Sequence, residues 1–205
     1  MTLALRDNRA AYTEIALYLG AYVAYLLTRG LIHADTRAVG VVNGERVVSL
    51  QRDLGFLWEP GWQSWAVENV KALVVTMNWV YIITYWPVIF LAAFVLFIKS
   101  RSDYNFYRTV VFINLAGALL IFMTFPVASP FAIPSVVLLD SIQEFGPKFY
   151  GSEDMSTFYN ISAAMPSLHF SWTVILGVLF WRSFPGNLRL IGLLYPFLTF
   201  FAITL

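Results

Sequence analysis

The sequence predicts an all-α polytopic membrane protein, and its composition and long apolar runs carry that prediction. Of the 205 residues, 59% are hydrophobic and 12% are charged, whereas soluble domains carry roughly 25% charged residues. The mean hydropathy is +0.69, and several charge-poor runs approach the ~20 residues that a helix needs to cross a bilayer. The net charge of +1, with scattered basic residues, indicates no nucleic-acid partner. The lack of cysteine excludes disulfides and thiolate metal sites.

Five runs of this kind are predicted to span the membrane, at about residues 11–28, 73–98, 109–125, 166–181 and 188–205. The second contains Pro87, which can kink a helix because proline lacks one hydrogen-bonding N–H. Prolines at positions 126, 130 and 134 should end the third run near Phe125. The charged first fifteen residues have no signal-peptide core, so we expect a short cytoplasmic lead-in.

The distribution of lysine and arginine predicts which side of the membrane each loop faces. Seven basic residues and three acidic ones occupy the N-terminal segment and the short loops around residues 99–108 and 182–189. The two long loops hold six basic and nine acidic residues. Because short cytoplasmic loops carry the excess of positive charge, we place the N-terminus in the cytoplasm and both long loops outside. We expect one membrane domain, residues 1–205, in the cell (plasma) membrane.

Residues 44–66, in the first long loop, have the pattern of a helix that lies on a membrane surface. Apolar residues such as Val48, Leu50 and Leu54 alternate with charged ones at near-helical spacing, and tryptophans follow from Trp58 onward. Amphipathic helices that contain tryptophan lie in the headgroup zone. We expect this outer-side interfacial helix to anchor or cover the bundle. A role in gating the access of lipids is the alternative.

The clearest candidate for chemistry is the turn AMPSLHF, where the second long loop enters the fourth predicted span. Pro166 suits the first turn of a helix, and Ser167 and Leu168 then offer backbone N–H groups at the positive end of the helix dipole. An anion can bind there, and His169 could protonate a leaving oxygen near neutral pH. The alternative is a plain helix start with an interfacial histidine.

The run FYNISAAMPSLHFSW resembles the second signature of the type 2 phosphatidic acid phosphatase superfamily, especially the branch that contains inositol phosphorylceramide synthase. The segments LQRDLGFLWEPGWQSW, NWVYIITYWP and FPVASP also resemble that branch. The resemblance covers residues 44–205 loosely and the run itself closely. It implies a six-helix membrane core and no metal or other cofactor. It also implies a lipid phosphatase or phosphotransferase that acts at the outer leaflet through a phosphohistidine.

The resemblance assigns roles to three residues of the turn. Ser167 matches the serine that holds the phosphate, and His169 matches the acid that protonates the departing alkoxide. Leu168 stands where the family usually has glycine, with its backbone N–H still available for phosphate binding. In the synthase-like branch, the segment from Phe125 to Pro130 is expected to shape the site without supplying charge.

Two other signatures of the family are missing or misleading. The third signature, with the nucleophilic histidine and its aspartate, does not occur in the 205 residues. We therefore expect either that the sequence is cut short before its nucleophile and sixth helix, or that the protein is a non-catalytic accessory subunit of a larger membrane complex. Arg101 and Arg108 have the spacing of the first signature, but the charge distribution places them on the cytoplasmic side as anchors.

Further polar residues are weaker candidates for contacts with a lipid headgroup. Asn78, Tyr81 and Lys148 are predicted to line a headgroup pocket, although hydrogen bonding between helices is the commoner use of polar residues in spans. The candidates for neutralising the charge of the phosphate are the outer-side cations Lys148, Arg46 and Arg52. The partners we expect are membrane lipids that carry a phosphate, with a membrane protein complex as a further candidate. The loop 140–164 is expected to select the acceptor.

Overall fold

The computed structural model describes residues 2–32, 36–146 and 163–205, and the described elements are helical. No strand occurs in these ranges, where Val127 and Ala163 form an isolated bridge. The prediction of an all-α fold is therefore confirmed. In chain order the helices are α1 (Thr2–Ile32), α2 (Thr36–Asp53), α3 (Glu59–Asn69), α4 (Lys71–Trp79), α5 (Tyr85–Lys99), α6 (Arg101–Thr124), α7 (Ser141–Phe145), α8 (Leu168–Ser183) and α9 (Leu188–Thr204).

Two stretches of helix within the described residues are long and apolar enough to cross a membrane. The first is Lys71–Lys99, in which a π turn joins α4 to α5, and the second is α6. Helix α9 is apolar but has 17 residues, and α8 has 16. The second and third predicted spans thus correspond to helices of the required length and hydropathy. The full set of five spans stays a prediction.

Many large apolar side chains on these helices point away from the protein. On α5, for example, Leu91, Phe94 and Ile98 are 64%, 61% and 66% exposed. Exposed apolar surface of this extent is unfavourable in water and favourable against lipid chains. This surface agrees with a membrane protein.

The second predicted span contains an irregularity just before Pro87. The π turn Val80–Thr84 interrupts the α-helical pattern, and the hydroxyl of Thr84 donates to the carbonyl oxygen of Val80 at 2.7 Å. Proline at position 87 cannot donate to the carbonyl of residue 83, so a local change of the helix relieves the conflict. The sequence predicts a kink here, and the structure places a π turn next to the proline.

The end of the third predicted span agrees with the proline prediction. Helix α6 ends at Thr124, and the segment that follows runs without α-helix to Asp140. Helix α2 holds this segment: the Asn43 amide donates to the Pro126 carbonyl at 2.9 Å, and Ile133 packs directly against Gly44. A side chain at position 44 would collide with Ile133, so glycine allows this close approach.

The interfacial segment predicted at 44–66 consists of two helices rather than one. Helix α2 ends at Asp53, Gly55 turns the chain with a φ of +71°, and α3 begins at Glu59. Val48 faces the protein, whereas Leu50 is 58% exposed. The apolar residues that the sequence groups into one stripe therefore divide between the protein and its surroundings.

Site-directed labelling can test whether the exposed side of α2 meets lipid. Leu50 and Arg52 are both exposed and point about 160° apart on the helix. The chain has no cysteine, so Leu50→Cys and Arg52→Cys each give one spin label. We expect the label at 50 to be more accessible to oxygen, which concentrates in lipid, and the label at 52 to a water-soluble nickel chelate. Equal access to the nickel chelate at both positions would contradict the interfacial placement.

Helices α8 and α9 form the most extensive helix pair among the described elements. They are antiparallel, and their backbones meet where Gly177 lies against Gly192. Close approach at small residues is typical of helices packed in membranes. Near the C-terminus of α9, Phe200 contacts two aromatic residues. These are Phe170, in the first turn of α8, and Trp58, which precedes α3. The bundle thus carries α3 and the start of α8 at the same end.

The basic short loops lie at the other end of the bundle. Arg108 forms an ion pair with Glu14 of α1, and the Tyr104 hydroxyl donates to the same carboxylate at 2.9 Å. Leu168 packs near Phe122, which is 14 residues, or ~21 Å, further along α6 than Arg108. Arg108 therefore stands far from the turn that contains His169, as the charge distribution predicts. The side of the membrane that each end faces stays a prediction.

A buried glutamine fixes the segment that leads into α7. The Gln63 amide group donates to the backbone oxygens of Leu139 and Leu205, at 2.9 and 3.2 Å, and accepts from the Leu139 N–H at 2.8 Å. We expect Gln63→Leu to lower the free energy of unfolding by roughly 2–4 kcal/mol, because it leaves buried backbone groups without partners. Thermal unfolding in detergent measures this.

The control lies on the same helix. The amide of Asn69 is exposed and donates within α3 to Trp65, so Asn69→Ala should change the melting temperature little. Equal melting temperatures for Gln63→Leu and the wild type would show that the three hydrogen bonds contribute nothing to stability.

Candidate functional site

The candidate site is built on the N-terminus of α8. Ser167 caps this helix, and its hydroxyl oxygen accepts the Phe170 N–H at 3.3 Å. The first helical backbone bond runs from the Ser171 N–H to the Ser167 carbonyl, so the N–H groups of Leu168 and His169 precede the helical ladder. Pro166 stands before the cap, not in the first turn as the sequence predicts, because serine is the better N-cap.

Two tyrosines hold the ring of His169. The Tyr81 hydroxyl lies 3.2 Å from Nδ1 of His169, within hydrogen-bonding distance. The centre of the Tyr81 ring is 4.4 Å from that of the imidazole, at an interplanar angle of 23°. The Tyr85 ring is 4.0 Å away at 30°. The histidine at the start of α8 is therefore fixed by the helix segment that contains the π turn.

A second set of contacts fixes the backbone around the histidine. The Tyr85 hydroxyl donates to the Leu168 carbonyl at 3.4 Å, and its ring stacks on Trp172 at 5.9 Å. The Ser171 hydroxyl donates to the side-chain oxygen of Asn114 on α6 at 2.9 Å. Helices α5 and α6 both contribute to the position of the α8 N-terminus.

The proline-rich segment after α6 lies beside the same turn. The Ala164 N–H donates to the Val127 carbonyl at 3.0 Å, and Val127 bridges to Ala163. Ala163 and Leu168 both pack against Phe122 and its neighbours on α6. The segment Phe125 to Pro130 thus reaches the residues just before the cap, and it carries no charged side chain.

A small cavity with a partly polar wall adjoins the histidine ring. It lies between the π turn and α9 and has room for about one water molecule. The Thr84 hydroxyl and the Tyr195 hydroxyl are 3.3 Å apart in this region. The residues of its wall with polar side chains are Tyr81, Thr84, Tyr85, His169, Tyr195 and Thr199. Thr84, Tyr195 and Thr199 are not among the predicted site residues, because in sequence they are ordinary polar residues within apolar helices.

Asn78 and Tyr81, two of the three residues predicted to line a headgroup pocket, have different partners in the structure. Tyr81 contacts His169, but Asn78 is 1% exposed and exchanges two hydrogen bonds with Ser141: its amide donates to the Ser141 carbonyl, and its side-chain oxygen accepts from the hydroxyl. Asn78 therefore serves a contact between elements, the commoner alternative. Lys148 lies outside the described residues. The same is true of His33 and of residues 147–162 in the loop 140–164.

Arg46, one of the cations proposed for the phosphate, and Arg101, predicted to be an anchor on the cytoplasmic side, have different surroundings. Arg46 on α2 donates to the Asn43 side chain at 3.4 Å, and Asn43 in turn binds the Pro126 carbonyl. Arg46 is thus connected to the proline-rich segment beside the turn. At the other end of the bundle, the guanidinium of Arg101 lies 3.3 Å from the centre of the Phe97 ring. Within the described ranges, no three His, Asp or Glu residues cluster as metal ligands would.

This arrangement is suited to binding an anion and moving a proton. The capped helix presents two backbone N–H groups at its positive end, and a histidine with one ring nitrogen held by tyrosine stands next to them. The orientation of the imidazole is set by the rings of Tyr81 and Tyr85, and Trp172 stacks in turn on Tyr85.

Comparison with known proteins gives one match. No curated protein and no solved structure matches the chain. Residues 45–205 match the sequence profile described as the PAP2 superfamily, which confirms the superfamily resemblance and leaves the synthase-like branch a prediction. Because the match covers more than half of its length, this chain belongs to the PAP2 superfamily.

Proposed function

We propose that this protein is a lipid phosphatase or phosphotransferase in which His169 protonates the leaving group. Membership of the PAP2 superfamily suggests phosphatase or phosphotransferase activity on lipid-like phosphates. The role of leaving-group acid is assigned to His169 because of its position. It lies in the first turn of α8, beside the Ser167 cap, and its Nδ1 atom is within hydrogen-bonding distance of the Tyr81 hydroxyl.

In the proposed step, a nucleophile attacks phosphorus and the bond between phosphorus and the lipid oxygen breaks. The departing alkoxide takes a proton from Nε2 of His169, which becomes neutral. The N–H groups of Leu168 and His169 bind the phosphate oxygens, and the Ser167 hydroxyl can donate to a further one. The 205 residues contain two histidines, His33 and His169. Neither matches the nucleophilic histidine of the superfamily. The proposed roles of Ser167, Leu168 and His169 are therefore those on the leaving-group side of the site.

The acceptor of the phosphoryl group decides the class of reaction. Water as acceptor gives hydrolysis, whereas a lipid or inositol hydroxyl gives transfer, as in the synthase-like branch. The resemblance of the FPVASP segment to the synthase-like branch supports the second outcome. This segment contacts the residues just before the α8 cap. We propose that the reaction takes place at the outer leaflet of the plasma membrane, with the loop 140–164 selecting the acceptor.

A non-catalytic accessory subunit of a larger membrane complex is the second candidate. The observation in its favour is that no third signature occurs in the sequence. Such a subunit would keep the fold and bind lipid without turnover.

Phosphate release by the protein in its native membranes, and after purification from them, separates the two candidates. The enzyme proposal predicts release from phosphatidate above the background of a protein-free sample, with inhibition by vanadate. An inactive, folded protein that purifies with a stoichiometric membrane partner would contradict it and support the accessory subunit.

A further inference from the structure

We propose that Tyr81 is a positioning residue whose hydroxyl oxygen accepts a hydrogen bond from Nδ1–H of His169, so that Nε2 is the nitrogen that exchanges a proton with the substrate. This inference rests on the proposed function and deepens it. The Tyr81 oxygen and Nδ1 are 3.2 Å apart, which suits a hydrogen bond but leaves the direction of donation open.

The direction follows from the state that an acid must have. An imidazolium ring carries protons on both nitrogens, so Nδ1 is then a donor and the Tyr81 oxygen can only accept. When Nε2 gives its proton to the leaving oxygen, the neutral ring keeps the proton on Nδ1. That proton already has its acceptor, so the ring need not rotate during the step. A hydrogen bond at one ring nitrogen sets the role of the other.

The surroundings of the ring support a fixed orientation. Tyr81 lies within the π turn and Tyr85 directly follows it, and both rings pack on the imidazole. π turns inside α-helices occur frequently at functional sites. The titratable groups that line the cavity next to His169 are Tyr81 and Tyr85, and Tyr195 on α9. Among the described residues of this lining, none has a charged side chain apart from the histidine itself when protonated.

Nitrogen NMR of the imidazole tests the assignment without any turnover. The chain has two histidines, so a His33→Gln background labelled with ¹⁵N-histidine reports His169 alone. At a pH where the ring is neutral, the ¹⁵N shifts distinguish the Nδ1–H from the Nε2–H tautomer. We expect the parent to be mainly Nδ1–H, although neutral imidazole in water prefers Nε2–H. Tyr81→Phe removes the acceptor that favours the Nδ1–H tautomer. We expect the ratio of the Nδ1–H tautomer to the Nε2–H tautomer to fall about fivefold, the effect of losing one typical hydrogen bond.

Tyr85→Phe is the matched control, because it removes a hydroxyl that binds the Leu168 carbonyl and keeps the ring that packs on His169. Its tautomer ratio should equal that of the parent. A parent that is mainly Nε2–H would overturn the proposal, even if Tyr81→Phe fails to fold. An unchanged ratio in folded Tyr81→Phe would also overturn it.

The assignment of Tyr81 and the proposed function can fail separately. If phosphate release depends on His169 but the parent ring is mainly Nε2–H, the function stands and the role of Tyr81 falls. If the parent is Nδ1–H and responds to Tyr81→Phe but never turns over a lipid phosphate, the hydrogen bond stands and the enzyme proposal falls.

Discussion

Replacing His169 with alanine is expected to reduce phosphate release from a lipid phosphate by roughly 10²–10⁴-fold, the range for loss of a general acid or base. An alkoxide is a poor leaving group, so its departure depends on protonation. The side chain lies in the first turn of α8, next to the backbone groups that would bind the phosphate. Initial rates with phosphatidate in proteoliposomes, at equal amounts of folded protein, measure the loss.

The chain supplies its own control for this experiment. His33→Ala removes the only other histidine and should leave the rate within about twofold of the wild type. The melting temperature of His169→Ala must remain close to that of the wild type, because the ring also packs on Tyr81 and Tyr85. A wild-type rate in His169→Ala would remove the histidine from the mechanism.

The second large effect is expected at the contact between α8 and α9. A Cβ atom at Gly177 would lie 2.6 Å from the Gly192 carbonyl oxygen and 2.9 Å from the Pro196 ring, so the backbones would have to separate. Overpacking of this kind destabilises a protein by about 1–3 kcal/mol or more, and valine adds two further methyl groups. We expect Gly177→Val to lower the melting temperature by at least ~5 °C and to lower the yield of folded protein. Size-exclusion chromatography and thermal unfolding in detergent measure both effects.

Gly117→Ala on α6 is the matched control, because a Cβ atom there meets nothing within 4 Å. Alanine also favours a helix over glycine by about 1 kcal/mol, so this variant should be as stable as the wild type or more so. If both glycine variants melt at the wild-type temperature, the close approach of α8 and α9 is wrong.

Local rules of sequence account for much of the architecture. The prolines from Pro126 onward predict the end of α6, and the helix does end at Thr124. The uneven distribution of basic residues predicts that Arg108 lies far from His169, and α6 separates them. These features depend on neighbours in the chain or on composition, which a sequence shows directly.

The details of the site depend on contacts between distant segments and could not be predicted in the same way. Tyr81 and His169 are 88 positions apart, and Tyr195 reaches the cavity from yet another helix. Asn78 and Tyr81 are three positions apart, so a regular helix would present them on one face. In the structure Tyr81 lies within the π turn and contacts His169, whereas Asn78 hydrogen-bonds to Ser141. A buried amide is satisfied by whichever backbone group the fold brings to it.

Comparing the rate loss in His169→Ala between two substrates with different leaving groups shows whether His169 protonates the leaving oxygen. A lipid-like phosphate ester of p-nitrophenol releases an anion that needs no proton, whereas phosphatidate releases an alkoxide. If His169 is the leaving-group acid, its removal should slow phosphatidate turnover by roughly 10²-fold or more and p-nitrophenyl ester turnover by less than about tenfold. An equal loss with both substrates would contradict the account, because it would show that His169 maintains the site without protonating the leaving group.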